Sequence, residues 1–227
     1  MTGTDNALKV GEFGVGYMSI YDAGRVTNAI GTLATYVGSE GHVTIAGDGS
    51  VWENTNALLI GREGLGQLLV ANHGLLDTAT LSKIGELPGS VGEVFIDGDG
   101  ARWLAEEAEI DVGAEGEGTL NIEDGGEVSA RAVLAGVFSG AEGDILVTGT
   151  NSLMHAAQGT LIGREGVGTL SVEAGGLVST GEWLAVGEQA GGEGWVTVHQ
   201  GGNADVNGVD LGILDGSTGH LTVTDPD

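Results

Sequence analysis

The sequence predicts an all-β parallel β-helix, on three observations: a glycine that returns every 25 or 26 residues, a strand pattern after each return, and a turn residue eight places further on. The glycines are Gly16, Gly41, Gly66, Gly92, Gly118, Gly143, Gly168, Gly194 and Gly219. A unit this short cannot bury an apolar face alone and must stack on its neighbours, so the period predicts about nine coils of one solenoid.

Two places after each glycine stands Met18, Val43, Leu68, Val94, Leu120, Ile145, Leu170, Val196 or Leu221. Four places after stands Ile20, Ile45, Val70, Ile96, Ile122, Val147, Val172, Val198 or Val223. Both columns are apolar throughout and the second is always β-branched, which suits a pleated strand with these two positions pointing inward. The position between them (Ser19, Thr44, Leu69, Phe95, Asn121, Leu146, Ser171, Thr197, Thr222) should point outward. Its large apolar interruptions argue against a threonine ladder for ice.

Eight places after the repeat glycine come Gly24, Gly49, Gly74, Gly100, Gly126, Asn151, Gly176 and Gly202. Asn is the non-glycine residue that best tolerates a left-handed backbone, so this position predicts a corner with positive φ. A second strand precedes the repeat glycine, as in Leu8-Lys9-Val10, Leu58-Leu59-Ile60 and Ile110-Asp111-Val112. A third apolar spot follows the corner at Val26, Val51, Leu76, Val128, Leu153 and Val178. Two or three strands per coil imply a right-angled or triangular cross-section.

The coils alternate in type. Gly14, Gly64, Gly116 and Gly166 stand two places before the repeat glycine in one; Gly38, Gly89, Gly140, Gly191 and Gly216 stand three places before it in the other. The true unit is a pair of coils, and the alternation breaks at the last one. Two coils are near copies, Leu58-Leu59-Ile60-Gly61-Arg62-Glu63-Gly64 and Thr160-Leu161-Ile162-Gly163-Arg164-Glu165-Gly166, which points to duplication.

The pair formed by Gly47-Asp48-Gly49-Ser50-Val51-Trp52, then Leu58 to Val70, then Gly74, returns as Gly98-Asp99-Gly100-Ala101-Arg102-Trp103 with Ile110 to Gly126, and more loosely from Gly149 to Gly176. It resembles the repeat of type V secretion (autotransporter) passengers and PEP-CTERM-associated surface proteins, across essentially the whole chain. The resemblance implies a right-handed parallel β-helix at the bacterial surface or beyond it, with adhesive or structural use. Where that family tends to carry Trp, the later coils have Met154 and Asp205.

Composition bounds the rest. The 227 residues include 45 Gly, two Pro and no Cys, with 41% hydrophobic residues. No linker or change of period divides residues 1–227, which read as one solenoid segment. Glycine without a three-residue period excludes collagen, and the apolar content excludes a disordered tail. No apolar run reaches the roughly 18 residues of a membrane helix. Met1-Thr2-Gly3-Thr4-Asp5 lacks the basic start and apolar core of a secretion signal. Export would therefore make this chain a segment of a longer one, with leader and anchor elsewhere.

The formal net charge is −26. On a stack of about 43 Å, at about 4.8 Å per coil, that is about one negative charge per 1.7 Å, comparable to duplex DNA. Nucleic acid and anionic lipid should be repelled and cations attracted.

Carboxylates are the first candidates for a site. Asp97, Asp99, Glu106, Glu107, Glu109 and Asp111 fall close together, and Asp22, Asp48, Asp99 and Asp124 sit beside corners. Asp97, Asp99, Asp48 and Asp124 are the candidate calcium ligands, since that ion takes carboxylate and carbonyl oxygens. The simpler reading is a solvated acidic face, because the calcium-binding nonapeptide pattern is absent; no other cofactor is expected. Carboxylate pairs also occur in glycosidases, but the seven Lys and Arg are scattered over different coils. The chain reads as non-enzymatic.

His42, His73, His155, His199 and His220 show no metal-ligand spacing and read as exposed polar residues. The glycines open strands and form no phosphate loop. Trp52, Trp103 and Met154 share one column, which could stack on sugars but more simply packs over an apolar corner. The expected role is the stalk or adhesin shaft of a surface protein. The alternatives are a filament subunit that stacks end to end, since no polar cap closes either edge, and a calcium- or carbohydrate-binding module.

Overall fold

The computed structural model describes residues 6–224; the leader reading of Met1–Asp5 and the segment Asp225–Asp227 lie outside them. Every strand pairing is parallel, and among the described residues there is no helix. Parallel strands one coil apart build a β-solenoid of nine coils with three faces.

Face 1 is the repeat-glycine face. Its strands are Val15–Ile20, Glu40–Ala46, Leu65–Ala71, Val91–Asp97, Glu117–Glu123, Glu142–Thr148, Val167–Glu173, Glu193–Val198 and Thr218–Val223, paired in that order as one nine-stranded sheet. Glycine lies on glycine at every step, as Gly92 does between Gly66 and Gly118. Both predicted inward columns are buried along the stack; only at the ends do Met18, Leu221 and Val223 emerge.

Face 2 runs through Arg25–Asn28, Val51–Asn54, Leu75–Thr78, the first halves of Arg102–Val112, Glu127–Ala135 and Leu153–Ile162, then Leu177–Thr180 and Asn203–Val206. Face 3 runs through Ala7–Val10, Ile30–Leu33, Ala57–Ile60, Leu81–Ile84, the second halves of the same three long strands, then Trp183–Val186 and Val209–Leu211. In the three middle coils the strand continues round the corner between these faces, with register shifts at Ala105/Glu109 and Ala130/Ala132.

The corner after face 1 departs from the sequence reading. Gly49, Gly100 and Asn151 do have positive φ (75°, 73° and 69°), each with a second positive-φ glycine two places earlier at Gly47, Gly98 or Gly149. At Gly24, Gly74, Gly126, Gly176 and Gly202 the left-handed residues are instead the two preceding ones, such as Asn72 and His73 or Asp124 and Gly125. Two consecutive positive φ values make a type I′ turn. These glycines are needed for a different reason: a Cβ on Gly126 would lie 2.2 Å from the Ile96 carbonyl oxygen of the coil below.

The two corners differ by one residue, which moves the face 2 register. The inward column is Val26, Trp52, Leu76, Trp103, Val128, Met154, Val178 and Ala204. Val51 and Leu153, expected as the apolar spots of their coils, sit one place outside it. The coil opening at Gly194 carries the type I′ corner at Gln200 and Gly201, so Ala204 rather than Asp205 continues the tryptophan column.

Trp52 and Trp103 are fully buried in the core, so neither indole is available to stack on a sugar. Each indole N–H donates to the coil below: Trp52 Nε1 to Asn28 Oδ1 at 2.7 Å, and Trp103 Nε1 to Thr78 Oγ1 at 3.0 Å. Where Met154 replaces Trp, the coil below carries Ala130 at the acceptor position, since a thioether has no N–H to satisfy. A Cβ on Gly31 would meet Trp52 Cζ2 at 2.7 Å, so the first indole also requires a missing side chain beneath it.

Candidate functional site

Three surface features carry groups with unusual surroundings. The first is the edge where face 1 turns into face 2. Asp48 stands between Gly47 and Gly49, and Asp99 between Gly98 and Gly100, so both project from the shifted corner, two coils apart. Asp97 ends a face 1 strand in register with Glu123, and Asp124 begins the next corner. Burial pushes the Glu123 carboxyl above its ordinary value, and the negative charges of Asp97 and Asp124 add to the shift. Asp48 Oδ1 lies 3.4 Å from His73 Nδ1, and further up Glu173 Oε2 lies 3.0 Å from His199 Nε2.

The four candidate calcium ligands are thus strung along one edge from the second coil to the fifth. Among the described residues, no three His, Asp or Glu side chains converge on a point where a metal ion could sit. Asp97 and Asp124 come nearest to a cluster, through Glu123; Asp48 belongs to a different level of the stack.

The second feature is on the outside of face 3. Lys83, Asp111, Leu134, Leu161 and Ala185 form one outward column. Asp111 is only 4% exposed, and its Oδ1 has no hydrogen-bond partner. Burial raises its pKa from 3.8 to about 7; the Glu109 carboxylate beside it adds to the rise, and Lys83 one coil below opposes it. Glu109 is held by Arg131 at 3.4 Å. Glu86, also pushed up by burial, lies 3.3 Å from Arg62 Nε.

The upper part of this column, Leu134, Leu161 and Ala185, forms with Ala132 and Val137 a small second apolar cluster, with Trp183 against it. Its signal in the sequence is the loss of alternation: Ala132-Val133-Leu134-Ala135 is apolar on both sides of the strand, as in a sheet covered on both faces. Chemically, Asp111 is a carboxylic acid that titrates near neutrality. It is flanked by a second carboxylate and an ammonium group.

The third feature is an outward ladder on face 1. The Tyr17 and His42 rings stack at 5.0 Å; His42 Nδ1 lies 2.8 Å from Gln67 Oε1, and Gln67 Nε2 donates to Glu93 Oε2 at 2.6 Å. In the same column Thr169 donates to Asp144 at 2.5 Å, and at the far end Trp195 and His220 stack at 3.6 Å with planes 9° apart. His42, His73, His199 and His220 therefore each have a partner, rather than being simply exposed polar residues. This partnership follows the register, which places repeat-equivalent residues over one another.

No helix among the described residues is long and apolar enough to cross a membrane. No family model matches the chain. A stretch of 150 aligned residues is 27% identical to the "Adhesin BmaC autotransporter" of Brucella suis biovar 1 (strain 1330), covering 57% of this chain and 4% of that protein. The chain thus spans a small fraction of the length of the relative it matches. Among solved structures it is similar to a crystal structure of a TibC-catalysed, hyper-glycosylated TibA55-350 fragment. That match is 16% identical, covers 96% of this chain and 80% of that one, and has a TM-score of 0.28.

Proposed function

We propose that this chain is a length of extracellular, non-enzymatic shaft: a β-solenoid stalk that belongs to a bacterial surface adhesin and sets the reach of its adhesive parts. The observation that supports this most is the unbroken register. Face 1 pairs Gly16 through Gly219 without insertion or slip, so each coil adds one strand spacing and little else. The sequence similarity to an autotransporter adhesin is consistent with that setting. The working residues are then structural: the inward columns exclude water, the backbone ladders carry load along the axis, and the charge of −26 keeps neighbouring rods apart.

The test is removal of the two-coil unit 41–91. Trp103 would then occupy the position of Trp52 above Asn28, so the shortened stack should fold cooperatively and be about 10 Å shorter in small-angle scattering. Beads coated with either version should bind host cells and glycan arrays no better than bare beads, with or without calcium. Binding by the full chain that disappears on removal of the unit would replace the shaft by a ligand-binding module.

A further inference from the structure

We propose that Lys83 and Asp111 condense into an isopeptide bond, with Glu109 carrying the protons, so that two neighbouring coils become joined covalently through their side chains. This goes beyond the shaft reading and can fail without it. Lys83 and Asp111 are register partners one coil apart in the middle of the stack, on the outer side of face 3. Neighbouring strands lie about 4.8 Å apart, a gap that a lysine side chain spans with length to spare. Glu109 stands two places before Asp111 on the same side of the same strand.

Each of the three groups has the surroundings that condensation requires. Asp111 is 4% exposed, and its Oδ1 has no hydrogen-bond partner to hold the carboxyl in another orientation. Burial, reinforced by Glu109, keeps this carboxyl an uncharged acid up to about pH 7, against the opposing charges of Lys83 below and Arg164 further up. An uncharged carboxyl carbon accepts an amine far more readily than a carboxylate does. Glu109 is held by Arg131 at 3.4 Å, and its carboxylate is a general base beside the reacting pair.

The chain has two lysines. Lys9 is engaged by Glu12 at 2.5 Å, and above it in the column stands Thr32, which offers no carboxyl. Among the described residues Lys83 makes no ion pair within 4.0 Å, so its ammonium is free to swing over Asp111.

The step balances without a cofactor or an oxidant. The Lys83 ammonium gives one proton to Glu109, and the free amine Nζ attacks Cγ of the protonated Asp111 carboxyl. A second proton passes from the nitrogen, by way of Glu109, to the departing hydroxyl. The C–OH bond breaks as the N–C bond is completed, and the hydroxyl leaves as water. One hydrogen stays on the amide nitrogen, and the proton left on Glu109 is released to solvent. Groups fixed side by side react at effective concentrations of about 10⁵ M or more, which favours an amide over its separated parts. The product closes residues 83–111 into a ring, so a pull along the axis could not draw out the chain between them. That use as reinforcement rests on the shaft reading; the bond does not. Asp111 titrates only until the bond forms, so its pH dependence belongs to freshly refolded, unlinked chain.

The experiment is intact mass spectrometry of the full chain, refolded and incubated near neutral pH, then denatured, with tryptic peptide mapping beside it. The chain should start at its sequence mass and lose one water. Trypsin should stop cutting after Lys83, and peptide 63–102 should appear joined to peptide 103–131. Lys83→Arg and Glu109→Gln should keep the sequence mass while their circular dichroism matches the parent. A parent that stays at its sequence mass overturns the proposal by itself, whatever the variants do. Loss of water with normal cleavage after Lys83 also overturns it, and places the change at an Asp–Gly corner as a succinimide. A link that forms equally fast in Glu109→Gln overturns the part given to Glu109.

Discussion

Glycine serves two separate purposes in this chain, and single substitutions should distinguish them. Gly140 has φ 84° and open space around its Cβ position, so Gly140→Ala should cost only about 1 kcal/mol of left-handed strain. Gly126 is not left-handed, but a Cβ there meets the Ile96 carbonyl, a backbone atom that cannot rotate away. Gly126→Ala should therefore cost about 2–4 kcal/mol in chemical denaturation, and equal effects at the two sites would refute the distinction. At Asp111 the acid is more strongly protonated when folded than when unfolded. Stability should therefore fall as pH rises from about 4 to about 7 and then level off. Asp111→Asn should remove most of that slope and raise the stability above pH 7 by up to about 4 kcal/mol, measured as denaturation midpoints across pH. A mutant with the parent's pH profile would place the titration elsewhere.

At the scale of the strand, the regular alternation on face 1 made both inward columns legible. Ile122 is fully buried between Ile96 and Val147, and Ile122→Asp should abolish cooperative unfolding at neutral pH, because a carboxylate would be buried without a partner. Circular dichroism melts that match the parent would move the column outside. Face 2 was less legible, because its register depends on which of two corners precedes it, and the corners differ by a single residue. That slip hid the burial of Trp52 and Trp103 and their hydrogen bonds to Asn28 and Thr78. Thr78→Val keeps the shape but removes the acceptor of the Trp103 N–H, and should cost about 1–3 kcal/mol in the same assay.

For the whole molecule, charge and stacking act against each other. Seven cations among 33 carboxylates leave a rod that repels itself along its length, while several of its ion pairs, such as Arg62–Glu86 and Arg25–Glu53, run between neighbouring coils. Added salt screens the excess repulsion more than these short contacts, so the melting temperature should rise from dilute to physiological ionic strength. A melting temperature independent of salt would show that the charges are already neutralised by bound cations.

The sequence by itself determined the solenoid, the number of coils, the face 1 core and the pairing of two coil types, because each is a repetition and repetition survives without knowledge of contacts. It could not determine what depends on the coil above or below. Glycines expected to be left-handed turned out to be close-packed against a carbonyl, a tryptophan column expected over a corner lies inside, and Asp111 is buried on an outer face, in register between Lys83 and Leu134. The candidate calcium ligands share an edge without sharing a point. In each case the deciding partner is about 25 residues away, and the register that brings it into contact is set by one-residue differences at the corners.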